Sequence, residues 1–172
     1  MKSKNVKKVF DIFGKKVVQT AQGILNAKGK NASGNLQSSL GYRLNVDRGT
    51  LELRFLGAPY ASIVDEGIRG YKSSAKAPKS PFKYSKPVAN IGAIDKWVVR
   101  KGLQGARDDK GRFIKRKSLV YLISKNIALY GIEPSNFFTD ALNQGLRGLP
   151  SKMAKAYAQD AKAFIENVTK EM

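Results

Sequence analysis

The chain has no cysteine and no histidine. That excludes disulfides, thiolate chemistry, Cys/His zinc sites and imidazole acid–base catalysis. A reducing compartment is compatible with such a composition. Acidic residues are also scarce, with 13 Asp and Glu against 32 Lys and Arg. No apolar run approaches the roughly 20 residues that span a bilayer. The lysines near the N-terminus precede an apolar stretch broken by Asp11, Lys15 and Lys16, so neither a membrane span nor a secretory leader is expected. Serines, lysines and carboxylates remain for chemistry, but no G-x-S-x-G, P-loop or G-x-G-x-x-G pattern organises them. No enzymatic activity, no cofactor and no metal is expected.

What is present is an apolar share of 42 % over 172 residues. This is enough for one domain, residues 1–172, with a hydrophobic core of its own. The formal charge is +19 and the isoelectric point near 10.2. Such a field attracts polyanions, whether nucleic acid, an anionic membrane or an acidic protein surface, and makes free copies repel one another. The charge is uneven. Residues 70–118 hold fourteen Lys and Arg against Asp95, Asp108 and Asp109, a net of +11.

The clearest local pattern is a β-hairpin. Leu40, Tyr42, Leu44 and Val46 alternate with polar or small residues, Asp47-Arg48-Gly49-Thr50 turns the chain, and Leu51, Leu53 and Phe55 alternate back. The expected register sets Val46 opposite Leu51, Leu44 opposite Leu53 and Tyr42 opposite Phe55. It also sets Asn45 near Glu52 and Arg43 near Arg54 on the wet face, a like-charged pair that splays into solvent or meets an acidic partner. Ahead of the hairpin, residues 4 to about 27 read as an amphipathic helix. Val6, Val9, Phe10, Phe13, Val17, Ala21 and Ile24 form its core stripe, and Asn26 to Asn31, with Gly29, close it.

After the hairpin, Pro59 is expected in the first turn of a short helix with Tyr60, Ile63 and Val64 on one side. Gly67 is expected to end that helix in a left-handed conformation. Residues 69–90, rich in Lys, Ser and Pro, read as an extended basic loop without a core of its own. Ile94, Trp97 and Val98 mark a short helix with Trp97 as a core anchor. A second basic loop over 102–117 passes Gly102, Gly105 and Gly111, and its Asp108-Asp109-Lys110-Gly111 piece reads as a turn or hairpin tip rather than a calcium loop. Leu119, Leu122, Ile123, Ile127 and Tyr130 form a further helical stripe ended by Gly131. Phe137, Phe138, Ala141, Leu142 and Leu146 start a helix after Pro134. Met153, Tyr157, Ala161, Phe164, Ile165 and Val168 give a closing amphipathic helix with Lys152, Lys155 and Lys162 outward. No internal repeat is visible.

Three segments carry a family likeness. They are Ser33-Gly34-Asn35-Leu36-Gln37-Ser38-Ser39-Leu40, then Gly57-Ala58-Pro59-Tyr60-Ala61-Ser62-Ile63-Val64-Asp65-Glu66-Gly67, then Gly131-Ile132-Glu133-Pro134-Ser135-Asn136-Phe137-Phe138-Thr139-Asp140-Ala141-Leu142. In that order they resemble the head–tail joining and tail-completion (neck) proteins of tailed bacteriophages. The resemblance implies a virion structural protein, made in the host cytoplasm. It would form a homo-oligomeric ring in the neck that joins the portal or connector protein to the tail proteins, with non-specific contact with packaged DNA and no membrane partner. It implies a subunit or partner interface at Pro59, Tyr60, Asp65, Glu66 and Gly67, with the two acids offered to a neighbour's lysines.

The fold class expected is α+β: a small antiparallel sheet built on the hairpin, packed against long N- and C-terminal helices, with extended basic loops. A two-stranded hairpin alone is marginal, so further strands are expected from the loops or a neighbouring subunit. The basic loops, through Lys72, Lys76, Lys79, Lys83, Lys86, Lys115, Arg116 and Lys117, are the candidate polyanion or partner contacts, and are expected to be mobile until assembly. The charge exceeds what neck assembly needs. The alternative is therefore a sequence-independent nucleic-acid binder, with Tyr71, Phe82 and Tyr84 interleaved among the lysines to stack on bases.

Overall fold

A computed structural model describes residues 4–30, 32–47, 50–103 and 107–170. Asn31, Arg48, Gly49 and Gly105, all singled out above, lie outside the described residues. The elements in chain order are helix α1 (Lys4–Ala27), α2 (Asn35–Ser39), strands β1 (Gly41–Asp47) and β2 (Thr50–Leu56), α3 (Ala61–Glu66), β3 (Ile68–Arg69), α4 (Ile91–Arg100), α5 (Arg116–Tyr130), β4 (Gly131–Ile132), α6 (Phe137–Leu146) and α7 (Leu149–Lys170). The fold is α+β. The chain divides into two compact units, Met1–Ala27, Gln37–Ala58 and Phe137–Met172 forming the first, Lys28–Leu36 and Pro59–Asn136 the second.

In the first unit, β1 and β2 pair antiparallel in the expected register: Tyr42 with Phe55, Arg43 with Arg54, Leu44 with Leu53, Asn45 with Glu52 and Val46 with Leu51. The pairing begins at Gly41 with Leu56, so Leu40 lies just outside the strand. Arg54 is neutralised along its own strand, its Nε donating to Glu52 Oε1 at 2.7 Å. No third strand joins this hairpin among the described residues. The other ladder, β3 with β4, is a separate two-residue pair in the second unit.

Helix α1 is the spine of the first unit, against α6, α7 and the hairpin. Its buried line is Val6, Phe13, Gly14, Val17, Ala21 and Leu25. The steps of four from Phe13 to Leu25 each turn about 40° further round the helix, so the line drifts across the face. This is why Leu25, rather than Ile24, becomes the deepest residue at its C-terminal end. Two glycines permit the close approach. A Cβ at Gly14 would stand 2.6 Å from Tyr42 Cδ2, and one at Gly145 of α6 would stand 2.8 Å from Phe13 Cε2. Edge-to-face ring contacts continue the core from Phe13 to Phe55 (6.3 Å) and from Phe55 to Phe138 (5.2 Å), with Phe137 fully buried beside Phe138. Tyr42, lying over Gly14, donates its hydroxyl to Asp11 Oδ1 at 2.9 Å. That bond, with burial and the nearby negative charge, holds its phenol above the ordinary value.

Helix α7 begins with Leu149 and Pro150 in its first turn, where a missing N–H has no intrahelical partner to lose. Its buried residues are Ala156 and Asp160. The large apolar side chains expected in the core stand in solvent instead, with Tyr157 63 % and Ile165 60 % exposed and Phe164 and Val168 also exposed. Asp160, only 3 % exposed, explains the buried face. Its carboxylate accepts from the backbone N–H groups of Asn5 (3.0 and 3.1 Å) and Val6 (3.0 Å) and from Asn5 Nδ2 (2.8 Å). These N–H groups belong to the first turn of α1 and have no partner inside it. A carboxylate there also meets the positive end of the helix dipole.

Burial alone would raise the Asp160 carboxyl, but the hydrogen bonds from Val6 and Asn5 hold it below its ordinary value of 3.8. A carboxyl depressed in the folded state contributes stability above its unfolded value and loses that contribution as pH falls through the folded one. Asp160→Asn is therefore expected to lower the melting temperature at neutral pH. It should also flatten the loss of stability below about pH 4, as followed by circular dichroism. A parallel acid limb in wild type and variant would show that another carboxylate governs it.

Candidate functional site

The second unit is built on a close backbone junction. Helix α3 starts after Tyr60, whose φ of −94° and ψ of 5° make it the cap, so Pro59 precedes the first turn rather than occupying it. The Tyr60 carbonyl accepts the first helical bond, from Val64 N at 3.1 Å. Gly67 ends α3 at φ 72°, ψ −172°. The φ is positive as expected, but the extended ψ belongs to a region only glycine occupies, not to a left-handed cap. Gly131 ends α5 in nearly the same conformation, φ 81° and ψ −176°, its N–H donating to Ile127 O.

The two glycines bracket a short antiparallel ladder in which Ile68 pairs with Ile132 and Arg69 with Gly131. A Cβ on Gly67 would stand 2.5 Å from Ile132 O and 2.7 Å from Pro134 N, and one on Gly131 would collide with Ile68 O. The last carbonyls of α3, which have no intrahelical donors, are taken up here. Ser135 N (3.1 Å) and Ser135 Oγ (2.6 Å) donate to Val64 O, and Asn136 N donates to Asp65 O at 2.9 Å. Asn136 turns the chain with a φ of 50°. Residues 59–67 and 131–136, both parts of the family likeness, are thus locked to each other.

Of the candidate interface residues, Pro59, Tyr60 and Glu66 are exposed, Tyr60 at 42 %, while Gly67 and Asp65 are buried, Asp65 at 6 %. The segment 69–90 has almost no regular structure, as expected, yet it is pinned along its length. Arg69 N donates to Phe82 O, Tyr84 N to Arg69 O, Tyr71 N to Ala128 O, and Lys72 N and Ser73 N to Leu129 O. Ser80, buried, donates its hydroxyl to Gly67 O at 2.7 Å and accepts from Phe82 N. The backbone groups of this stretch find partners on α5 and β3. Lys72, Lys76, Lys79, Lys83 and Lys86 are all exposed. Among the interleaved aromatics only Tyr71 is exposed, and burial raises the Tyr84 phenol.

The second basic stretch ends sooner than expected, since Arg116 and Lys117 open α5 and only Lys115 precedes it. A cation at a helix N-terminus opposes the dipole. Arg116 is offset by a two-pronged pair with Asp95 of α4, at 2.7 and 2.5 Å, which depresses the Asp95 carboxyl. The Asp108 turn forms as expected. Asp108 Oδ1 accepts from Lys110 N and Arg112 N, and its other oxygen from Arg112 Nε. In α5 the buried line is Val120, Ser124 and Ala128, whereas Leu122 is 55 % exposed and Tyr130 is exposed. Small residues face inward because Ser124 exchanges hydrogen bonds with Ala89 across a close contact, its Oγ donating at 2.8 Å.

A cavity of about 720 Å³ lies within this unit. It is lined by the exposed Lys28, Lys30, Lys76 and Lys101 and by half-buried apolar residues that include Ile94, Trp97, Ile127 and Ile132. Trp97 is thus half-buried in a cavity wall rather than a closed core. No linear signal marks this site, because its lysines come from three separate stretches of chain. Among the described residues no group of three or more His, Cys, Asp or Glu could hold a metal ion, and no helix is long and apolar enough to cross a membrane.

No family model, curated protein or solved structure matches the chain.

Gly67→Ala is expected to destabilise the protein by about 1–3 kcal/mol through backbone strain, with the collision at Ile132 O in addition. Gly92→Ala, in the first turn of α4 where a Cβ meets only Asn90 Oδ1 at 3.5 Å, should be neutral or stabilising by up to about 1 kcal/mol. Urea unfolding of both variants checks this, and equal destabilisation would remove the special role of the junction.

Proposed function

We propose that this chain is a structural subunit of the neck of a tailed bacteriophage, assembling as a ring that joins the portal or connector to the tail. The observation that carries this reading is the junction at Gly67 and Gly131. Two of the three family-like segments, separated by more than sixty residues in the sequence, meet there through hydrogen bonds and glycine-only backbone. The junction presents Pro59, Tyr60 and Glu66 at the surface. The uncovered apolar residues of α7 add a second observation, since assembling subunits keep such faces for their neighbours. On this reading the contact is made by Pro59, Tyr60 and Glu66, while Asp65 and Gly67 shape the loop that holds them.

The test is to block production of the protein during infection and image the particles by electron microscopy. Filled or leaking heads without tails or lower neck parts are expected, whereas normal infectious particles would overturn the assignment. At the molecular level, Tyr60→Ala should abolish assembly, read by sedimentation velocity, while leaving the circular dichroism spectrum intact.

The nucleic-acid reading has one observation in its favour, the exposure of every lysine between residues 69 and 90. Against it, Phe82 and Tyr84 are only partly exposed. If this reading holds, affinity for single-stranded DNA falls steeply with salt, with a log–log slope of about −0.7 per neutralised phosphate. Changing Lys79, Lys83, Lys115 and Lys117 to Gln should then abolish binding in fluorescence anisotropy. Salt-insensitive or unchanged binding would discard it.

A further inference from the structure

We infer that the lysine-rimmed cavity of the second unit is a docking groove for an acidic, aliphatic-bearing peptide segment of a partner protein. All the residues that line the groove among the described residues belong to one compact unit of the chain.

Its size, about 720 Å³, falls in the range of sites that hold a small ligand or a few residues of peptide. The apolar lining is dominated by branched aliphatic side chains, Ile94, Ile127 and Ile132 among them, with Trp97 its one aromatic. Such a surface takes Leu, Ile or Val side chains. Four ammonium groups line the groove against one carboxylate, that of Glu133. Two of them are held in place by the backbone: Lys28 Nζ donates to Ser135 O at 2.5 Å, and Lys101 Nζ donates to Gly29 O at 2.8 Å. These bonds hold the Lys28 and Lys101 ammonium groups at the groove. Lys30 and Lys76 are exposed and form no ion pair among the described residues. Pre-positioned cations beside apolar side chains suit carboxylates spaced between aliphatic residues.

A net charge of +19 makes an acidic protein a better electrostatic match for this groove than a second copy. A different, acidic protein meets the requirement.

Trp97 is the only tryptophan, so its fluorescence reports this groove alone. The full-length protein is titrated with a capped hexapeptide of alternating Glu and Leu, and in parallel with hexaglutamate, a Gln/Leu hexapeptide, a thymidine oligonucleotide and dodecanoate. The Glu/Leu peptide is expected to shift Trp97 emission to shorter wavelength and to bind about tenfold more tightly than any other probe, a difference of a few good contacts. Lys30→Gln combined with Lys76→Gln should weaken it about fivefold, as two partly exposed ion pairs would. Ala93→Glu should abolish it. That residue is exposed in the groove wall at the third position of α4, its N–H bonded to the Asn90 cap, where Glu favours the helix and the variant folds. Equal binding of hexaglutamate or the oligonucleotide would reduce the site to a polyanion sink. Preference for dodecanoate would make it a fatty-acid site, and wild-type peptide binding by either variant would place the peptide elsewhere. Each of these three results overturns the proposal.

Discussion

At Gly67 and Gly131 two stretches of backbone approach so closely that no Cβ fits between them, and the second unit depends on that approach. It ends α3 and α5, sets the two-residue ladder between them and brings residues 134–136 under the last carbonyls of α3. Only glycine reaches the required combination of positive φ and extended ψ without steric cost. The basic segment 69–90 inherits its course from the same place. It leaves β3, returns beside it through Phe82 and Tyr84, and ties Ser80 to Gly67 O. A long stretch without regular structure is thereby ordered by a few backbone hydrogen bonds rather than by a core of its own.

Scarcity of acidic residues gives the remaining carboxylates structural work. Asp160 caps α1 from 155 residues away, Asp11 receives the Tyr42 hydroxyl, Asp95 braces the start of α5 through Arg116, and Asp108 folds its own turn. Glu52 and Glu166 pair with Arg54 and Lys162 along their own elements. With these acids committed internally, the surface excess of lysine is left for anionic partners. That is the physical basis shared by the neck assignment, the nucleic-acid alternative and the docking groove.

The hairpin and its register were legible because a side-chain period of two, bounded by turn residues, leaves one pairing that puts Tyr42, Leu44, Leu53 and Phe55 on one face. The extent of α1 and the turn at Asp108 were legible for similarly local reasons. The apolar stripes of α5 and α7 misled. Periodicity identifies residues that share a helix face, but not whether another element covers that face. In α7 a buried carboxylate fixes the rotation, and in α5 Ser124 and its contact with Ala89 do so. Residues 162–170 of α7 are exposed on every face, so Ile165 is uncovered whatever the rotation of the helix.

The linear pattern of residues already specifies the class of fold, the positions of most helices, the hairpin pairing and the basic character of the surface. These follow from short-range pattern and charge count. Long-range packing sets the burial of Asp65 beside the exposed Glu66, the pairing of Arg116 with Asp95 of α4, and the meeting of four lysines from three stretches of chain at one cavity. Such relations depend on which distant backbone groups meet, and no window of neighbouring residues contains that information.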